Sequence, residues 1–172
     1  QERVSQALEL QRAADSCPRF GDLEARQMLG VGAFGAVRLV RHKPSGATYA
    51  LKILSKARVL QGGQLQHVLN EKGALSRLAG NAFLLQLVAS YQDATHLYLL
   101  TELLQGGELH SLLARQPGKR LPQEQAAFYG AIVAAALEHL HERHYVYRDI
   151  KPENLLVDAR GYLRLVDLGF AK

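Results

Sequence analysis

The chain has 172 residues, 48% of them hydrophobic and 22% charged, a composition that suits about one globular domain and argues against a disordered tail. Cys17 is the single cysteine, which excludes an internal disulfide and a cysteine-based zinc cluster and suits a reducing compartment, so a cytoplasmic, intracellular location is expected. A net charge of +5 suits an anionic ligand, while the longest uncharged apolar run, 126–137, is shorter than the roughly 18 residues of a membrane span.

The opening QERVSQALELQRAAD lacks the apolar centre of a signal peptide. It reads as a short helix over 2–14, with Val4, Ala7 and Leu8 on one face, stopped by Ser16-Cys17-Pro18. From Leu23 the pattern becomes strand-like, with Val37 and Leu39 expected on one side and Arg38 and Arg41 on the other. Lys43-Pro44-Ser45-Gly46 makes a turn into a returning strand over 48–54. Leu65, Val68, Leu69, Lys72, Leu75 and Leu78 recur at helical spacing and predict a helix with one buried stripe. Two apolar strands follow over 84–91 and 96–102, and Gln105-Gly106-Gly107 reads as a flexible connection between two lobes. Pro122 is placed to be the first residue of a long buried helix running to about His144. After a polar stretch, 155–157 and 162–166 predict a hairpin turning at Ala159-Arg160-Gly161. Gln1 at the start and an end at Lys172, just after a strand and a tight turn, read as a piece of a longer protein.

Gly30-Val31-Gly32-Ala33-Phe34-Gly35 matches G-x-G-x-x-G, a weak signal alone that a plain surface turn also satisfies. A dinucleotide fold would open a helix at these glycines. Here the alternating Ala36-Val37-Arg38-Leu39-Val40 follows, and no Lys-Ser or Lys-Thr succeeds the last glycine, so the Walker loop is excluded as well. Strand, glycine loop and strand make a hairpin flap whose N–H groups can lie over a triphosphate. Lys52 stands on the next strand, 17 residues past Gly35. It is either a snorkelling surface lysine or a ligand of the α- and β-phosphates, with Glu71 on the following helix as its carboxylate partner.

Phosphoryl transfer needs a carboxylate to orient the attacking hydroxyl and oxygen ligands for the metal on the phosphates. In Tyr147-Arg148-Asp149-Ile150-Lys151-Pro152-Glu153-Asn154, Asp149 fits the first role. Asn154, five residues on, and Asp167 in Val166-Asp167-Leu168-Gly169 fit the second, and Lys151 is placed to neutralise the moving phosphoryl group. His139, His141 and His144 do not share one helix face, so no metal site is expected of them. Lys and Arg are scattered without a recognition motif, which argues against nucleic acid.

Taken in order, the glycine loop, Ala50-Leu51-Lys52, Asn70-Glu71-Lys72, Tyr147-Arg148-Asp149 with Asn154, and Asp167-Leu168-Gly169 resemble the eukaryotic protein kinases. Asp-Ile-Lys-Pro-Glu-Asn is similar to the serine/threonine class. Gly106-Gly107-Glu108-Leu109 and Gly169-Phe170-Ala171-Lys172 resemble the AGC group, and the stretch 158–167 is most similar to cyclic-nucleotide-dependent kinases, the cGMP-dependent ones above all.

The resemblance implies an α+β fold, a five-stranded antiparallel N-lobe with one main helix over 20–102, a hinge at 103–107 and the first part of a mainly helical C-lobe over 108–172, with 1–19 as linker or short helix. It implies ATP and Mg2+ as cofactors and a Ser/Thr-containing protein substrate, with no nucleic acid and no membrane span. Catalysis would rest on Asp149, Lys151, Lys52 and Glu71, and magnesium on Asn154 and Asp167. Leu29, Gly30, Val31, Gly32, Ala33, Phe34, Gly35, Val37, Ala50, Lys52 and Leu156 would line the nucleotide, with Thr101 as gatekeeper and the backbone of Glu102 and Leu104 on the adenine. Glu108 and Glu153 match positions that bind arginines upstream of the phosphorylated residue, implying a basophilic kinase.

Two departures stand out. Leu168 replaces the usual phenylalanine in an apolar spine of Leu75, Leu87, Tyr147 and Leu168, which is expected to shift the balance between positions of Asp167. The family's activation segment, which Arg148 would contact through a phosphate, would follow Lys172. The chain as given is therefore expected to be an incomplete kinase domain, and a non-catalytic ATP-binding or scaffolding pseudokinase-like role is the alternative.

Overall fold

The computed structural model describes residues 17–172, so the helix expected over 2–14 and most of the 1–19 linker lie outside the described residues. The chain divides into two units, the first ending at Arg58 and resuming over Val88–Thr101, the second comprising Val59–Leu87 and Glu102–Lys172.

The first unit is built on a five-stranded antiparallel sheet of β1 (Leu23–Gly32), β2 (Gly35–His42), β3 (Thr48–Ser55), β4 (Leu87–Gln92) and β5 (His96–Glu102), in the order β1-β2-β3-β5-β4. The pleat decides which residues share a face. Val37 opposes Lys52 and Leu39 opposes Ala50, whereas Val40 opposes Tyr49 and Arg38 opposes Leu51. Val37, Leu39, Ala50 and Lys52 therefore lie on one face, and Val40 and Leu51 on the other. The second face carries the core, where Val40, Leu51 and Leu100 are buried against Leu23, Tyr49, Ile53, Val88, Tyr91 and Tyr98. The expected pairing of Arg38 with Arg41 is corrected here, because at a period of two Arg41 falls with Val37 and Leu39, and the buried member of β2 is Val40.

A short helix that sequence periodicity did not predict, α1 (Lys56–Gln61), follows β3 directly. Lys56 ties its start to the β4–β5 turn, donating to the Gln92 side chain at 3.2 Å and the Asp93 carbonyl at 2.5 Å. Within that turn the Asp93 carboxylate accepts from Tyr98 and from the backbone of Thr95 and His96, which lowers its pKa far below the usual carboxylate range.

The second unit begins at Val59, within α1, and continues with α2 (Leu65–Arg77). Its buried face is Glu71, Ala74, Leu75 and Leu78, while Leu65 and Leu69 are exposed. The expected stripe thus turns: at about 100° per residue, Leu69 lies far round the helix from Glu71 and Leu75, and Leu65 stands at the edge of their face, in the first turn. The remaining elements are β6 (Gly107–Glu108), α3 (Leu109–Arg115), α4 (Gln123–Glu142), β7 (Leu155–Val157) and β8 (Leu163–Leu165). The three short strands form a sheet in the order β6-β7-β8.

Helix α4 starts one residue later and ends two residues earlier than expected. Pro122 has an extended ψ of 148° and caps the helix rather than opening it. At the other end His144 takes a left-handed φ of 61°. Its N–H donates to the His141 carbonyl, and that of Tyr145 donates to Leu140. This is the double hydrogen bond of a Schellman stop, with histidine where glycine is common.

Residues 84–86, expected as the start of β4, fall outside it, and the first two run beside β8. Leu84 bridges Leu165 in parallel, and the Leu85 and Leu165 N–H groups bond to Leu165 and Phe83. Gln105-Gly106-Gly107 is likewise anchored. The Gly106 N–H donates to Val157 at 2.9 Å, and a side chain at Gly106 would meet Val157 at 2.7 Å. The unit's core joins Leu75, Leu78, Leu84, Tyr129, Ile132, Leu140, Tyr147, Leu163, Leu165 and Leu168, with Leu87 packed against it. Among the described residues, no helix is long and apolar enough to cross a membrane.

Candidate active site

The glycine sequence forms the tip of the β1–β2 hairpin. Gly30 faces Val37, Val31 faces Ala36 and Gly32 faces Gly35, leaving Ala33 and Phe34 as the turn. The three glycines differ in what they require. A Cβ on Gly35 would lie 1.8 Å from the Ile53 carbonyl oxygen, so the flap closes onto β3 only with glycine there. Around Gly30 and Gly32 nothing lies within 4 Å, so packing within the protein does not demand glycine at these two positions. Under the tip, Gly32, Ala33, Phe34, Gly35, Val37, Lys52 and Leu54 line a concavity of about 130 Å³. That is smaller than the ~300–1,000 Å³ of a site enclosing a whole ligand.

Lys52 is half-buried in this concavity, opposite Val37 and on the face away from the apolar core. Ala50 is two residues back on the same face, and its carbonyl accepts from the hydroxyl of buried Thr101 at 3.4 Å. Leu29 and Val31 are exposed on the outer strand. The structure therefore brings Gly32, Ala33, Phe34, Gly35, Val37 and Lys52 together.

The second unit assembles a different set of groups. Both Lys151 Nζ, at 2.7 Å, and Asn154 Nδ2, at 2.8 Å, donate to Asp149 Oδ2, and Asn154 also donates to the Asp149 carbonyl at 3.1 Å. The Asp149 carboxylate raises the pKa of Lys151, chiefly through this hydrogen bond, so the ammonium stays charged. Pro152 and Glu153 form a tight turn that delivers Asn154, which is 7% exposed. With its amide nitrogen committed, Asn154 has its carbonyl oxygen to offer a hard cation.

Asp167 is carried to this loop by backbone bonds. The Val166 N–H donates to Asn154, the Val166 carbonyl accepts from the Tyr147 hydroxyl at 2.6 Å, and Val146 and Lys172 exchange both N–H···O bonds. Burial first, and then the charge of Asp167, push the Tyr147 phenol far above its ordinary pKa, so it remains a donor. Asp167 and Arg148 both hold left-handed backbones, with φ of 56° and 66°, which costs non-glycine residues free energy. Arg148 Nε donates to Phe170 at 2.8 Å, and Asp167 Oδ1 accepts from Gly169 at 3.4 Å. Asn154 and Asp167 each carry oxygen donors of the kind a hard cation such as Mg2+ takes.

The other expected residues fall on neighbouring elements of this unit. Glu71 is 5% exposed on α2. Leu156 is half-buried on β7, Glu108 is exposed opposite it on β6, and Glu153 is exposed in the tight turn. The Glu102 N–H donates to the Gln86 carbonyl, and Leu104, two residues on, is half-buried.

Sequence reasoning missed Arg164 and Gln86. Arg164 is 9% exposed between two fully buried leucines and pairs with Asp158 and Glu102. Gln86 spends its amide on the carbonyls of Asn81 and Leu84 and on the Gly80 N–H. A charge inside Leu163-Arg164-Leu165 was the available signal, since a strand buried on both faces leaves an arginine needing partners.

Residues 23–172 match the family model described as protein kinase domain. The chain is 43% identical to a cGMP-dependent protein kinase of Toxoplasma gondii, over 94% of this chain and 16% of that protein. It is 44% identical to a cAMP-dependent protein kinase catalytic subunit of Arthrobotrys oligospora, over 88% of this chain and 28% of the relative. With the cAMP-dependent protein kinase catalytic subunit of Schizosaccharomyces pombe the identity is 43%, over 99% and 34%. The chain thus spans about a third or less of the length of these curated relatives.

Proposed function

The chain belongs to the protein kinase family, and on that premise we propose that its protein transfers the γ-phosphoryl group of Mg-ATP to a serine or threonine hydroxyl of a protein substrate. The observation that carries this reading is the Asp149 carboxylate, held by Lys151 and Asn154 on the loop bonded to the segment bearing Asp167.

In the proposed step the substrate oxygen forms a bond to the γ-phosphorus while the bond from phosphorus to the β–γ bridging oxygen breaks, and ADP leaves. Asp149 orients the hydroxyl and takes its proton. Both donors converge on Oδ2, and the reading assigns the proton to Oδ1. Lys151, fixed within 2.7 Å of Asp149, offsets charge on the moving phosphoryl group. Asn154 and Asp167 would hold magnesium, which would supply positive charge to offset that of the phosphates. Lys52 and the flap N–H groups would hold the phosphate chain, and Glu71 would align Lys52. Leu29, Val37, Ala50 and Leu156 would enclose the adenine, bounded by Thr101 and held by the backbone of Glu102 and Leu104.

Exposed Glu108 and Glu153 give the reading its specificity, a preference for arginines upstream of the acceptor. A cytoplasmic site of action fits the lone cysteine.

The test is phosphate transfer by the full-length protein to paired Ser peptides with and without upstream arginines. Asp149→Asn is expected to reduce kcat by about 10²–10⁴-fold, the range for losing a general base, with the KM for ATP near normal. Glu108→Gln and Glu153→Gln are expected to raise the KM for the arginine peptide alone. Wild-type protein that binds Mg-ATP yet phosphorylates no peptide would overturn the catalytic reading in favour of a non-catalytic module.

A further inference from the structure

Arg164 is an unusual placement of charge. It lies on β8 with Leu163 and Leu165 each 1% exposed beside it. Its Nη2 stands 3.5 Å from Asp158 Oδ2 and 3.8 Å from Glu102 Oε2. These two carboxylates belong to different parts of the second unit. Asp158 closes the β7–β8 turn by accepting from the backbone of Arg160 and Tyr162. Glu102 begins the segment that leads to β6, and its own backbone and carboxylate clasp Gln86 through bonds of 3.1 and 3.0 Å.

The same segment is fastened at its far end, where Gly106 donates to Val157 at 2.9 Å. Segment 102–106 is thus fixed to the hairpin at two points, by backbone on β7 and by the Arg164 side chain on β8. In the ladder Leu156 is the direct partner of both Arg164 and Glu108, and direct partners present their side chains to the same face. The arginine that reaches Glu102 therefore shares a row with the leucine assigned to the adenine. A buried arginine bearing on two carboxylates is costly to place and strongly felt when removed, because the carboxylates lose their counter-charge.

Resting on the proposed function, we propose that Arg164 is a positioning residue for the nucleotide. By holding the Glu102 carboxylate it sets segment 102–106 at a fixed place relative to Leu156, and so sets the affinity for ATP without touching it. The arrangement distinguishes this role from catalysis, since Arg164 bears on the strand exit and the hairpin and not on Asp149. The expected signature is a change in the KM for ATP with kcat and the KM for peptide preserved.

The experiment is steady-state kinetics of the full-length protein, with direct titration of a fluorescent ATP analogue. Arg164→Met is expected to raise the KM for ATP and the analogue's Kd roughly tenfold, the factor equivalent to about 1.4 kcal/mol, while Arg164→Lys recovers most of the loss. If Arg164 acts through Glu102, Glu102→Gln weakens ATP similarly and the double variant is no worse than either single one. Should Arg164→Met fail to fold, Glu102→Gln, which keeps the side-chain shape, carries the same comparison. An unchanged KM for ATP in soluble variants, or fully additive losses, would overturn the assignment. Absence of ATP binding by the wild-type protein would instead overturn the proposed function, so the two failures are distinguishable.

Discussion

Aspartate 158 shows how one carboxylate links local turn chemistry to a buried charge. Burial raises its pKa, but the backbone donors Tyr162 and Arg160, with the charges of Arg164 and Arg160, outweigh burial and leave it below the ordinary value of 3.8. A carboxylate depressed in the folded state contributes stability that is complete above its unfolded pKa and is lost as the pH falls through the folded one. Asn at position 158 keeps an oxygen to accept both N–H groups and removes only the charge. The stability gap between wild type and Asp158→Asn in urea unfolding is therefore expected to be widest near neutral pH and to shrink below about pH 4. A gap independent of pH would show that the Arg164 pairing contributes nothing. The pairing of Asp149 with Asn154 on one loop was legible at this scale because the two lie only five residues apart. Arg164 was not, because its significance lies in partners that are 6 and 62 residues away.

Among the elements, the flap separates two uses of glycine that the motif presents as equivalent. Gly35 is demanded by the Ile53 carbonyl, whereas Gly32 has open space where a Cβ would stand. Gly35→Ala is expected to destabilise the protein by about 1–3 kcal/mol, the range for overpacking, seen as a lower Tm. Gly32→Ala is expected to leave stability within about 0.5 kcal/mol while weakening Mg-ATP in a nucleotide titration, since the methyl would stand between backbone N–H groups and phosphate. Equal behaviour of the two variants in both measurements would refute this division. The hairpin and its strands were legible from alternation. The short helices α1 and α3 and strand β6 were not, because each is shorter than the window in which periodicity can be recognised.

For the molecule as a whole, ligand binding and stability are linked, because a ligand of the native state alone stabilises it by mass action. Mg-ATP at a hundred times its Kd is expected to add ~2.7 kcal/mol to the stability of the full-length protein, read as a rise in Tm. Chelation of magnesium, or Asp167→Asn, should remove most of that rise, since both delete the neutralisation of the phosphates. A rise of the same size without the metal would count against Asn154 and Asp167 as its holders.

Sequence alone determined the family and the fold class, because the motifs that carry the resemblance are local and their spacing survives without the rest of the chain. It also placed the hairpin turn at Ala159-Arg160-Gly161, where Gly161 has a φ of 87°. Tertiary structure decided what periodicity cannot carry. It chose Glu71 and Leu75 over Leu65 and Leu69 as the buried face of α2, drew residues 84–85 onto β8, and stopped α4 at Glu142. It also brought Arg164 to Glu102 and Asp158. Each of these outcomes depends on a partner distant in sequence, and the free energy of burying an apolar face or pairing a charge is defined only once that partner is in place.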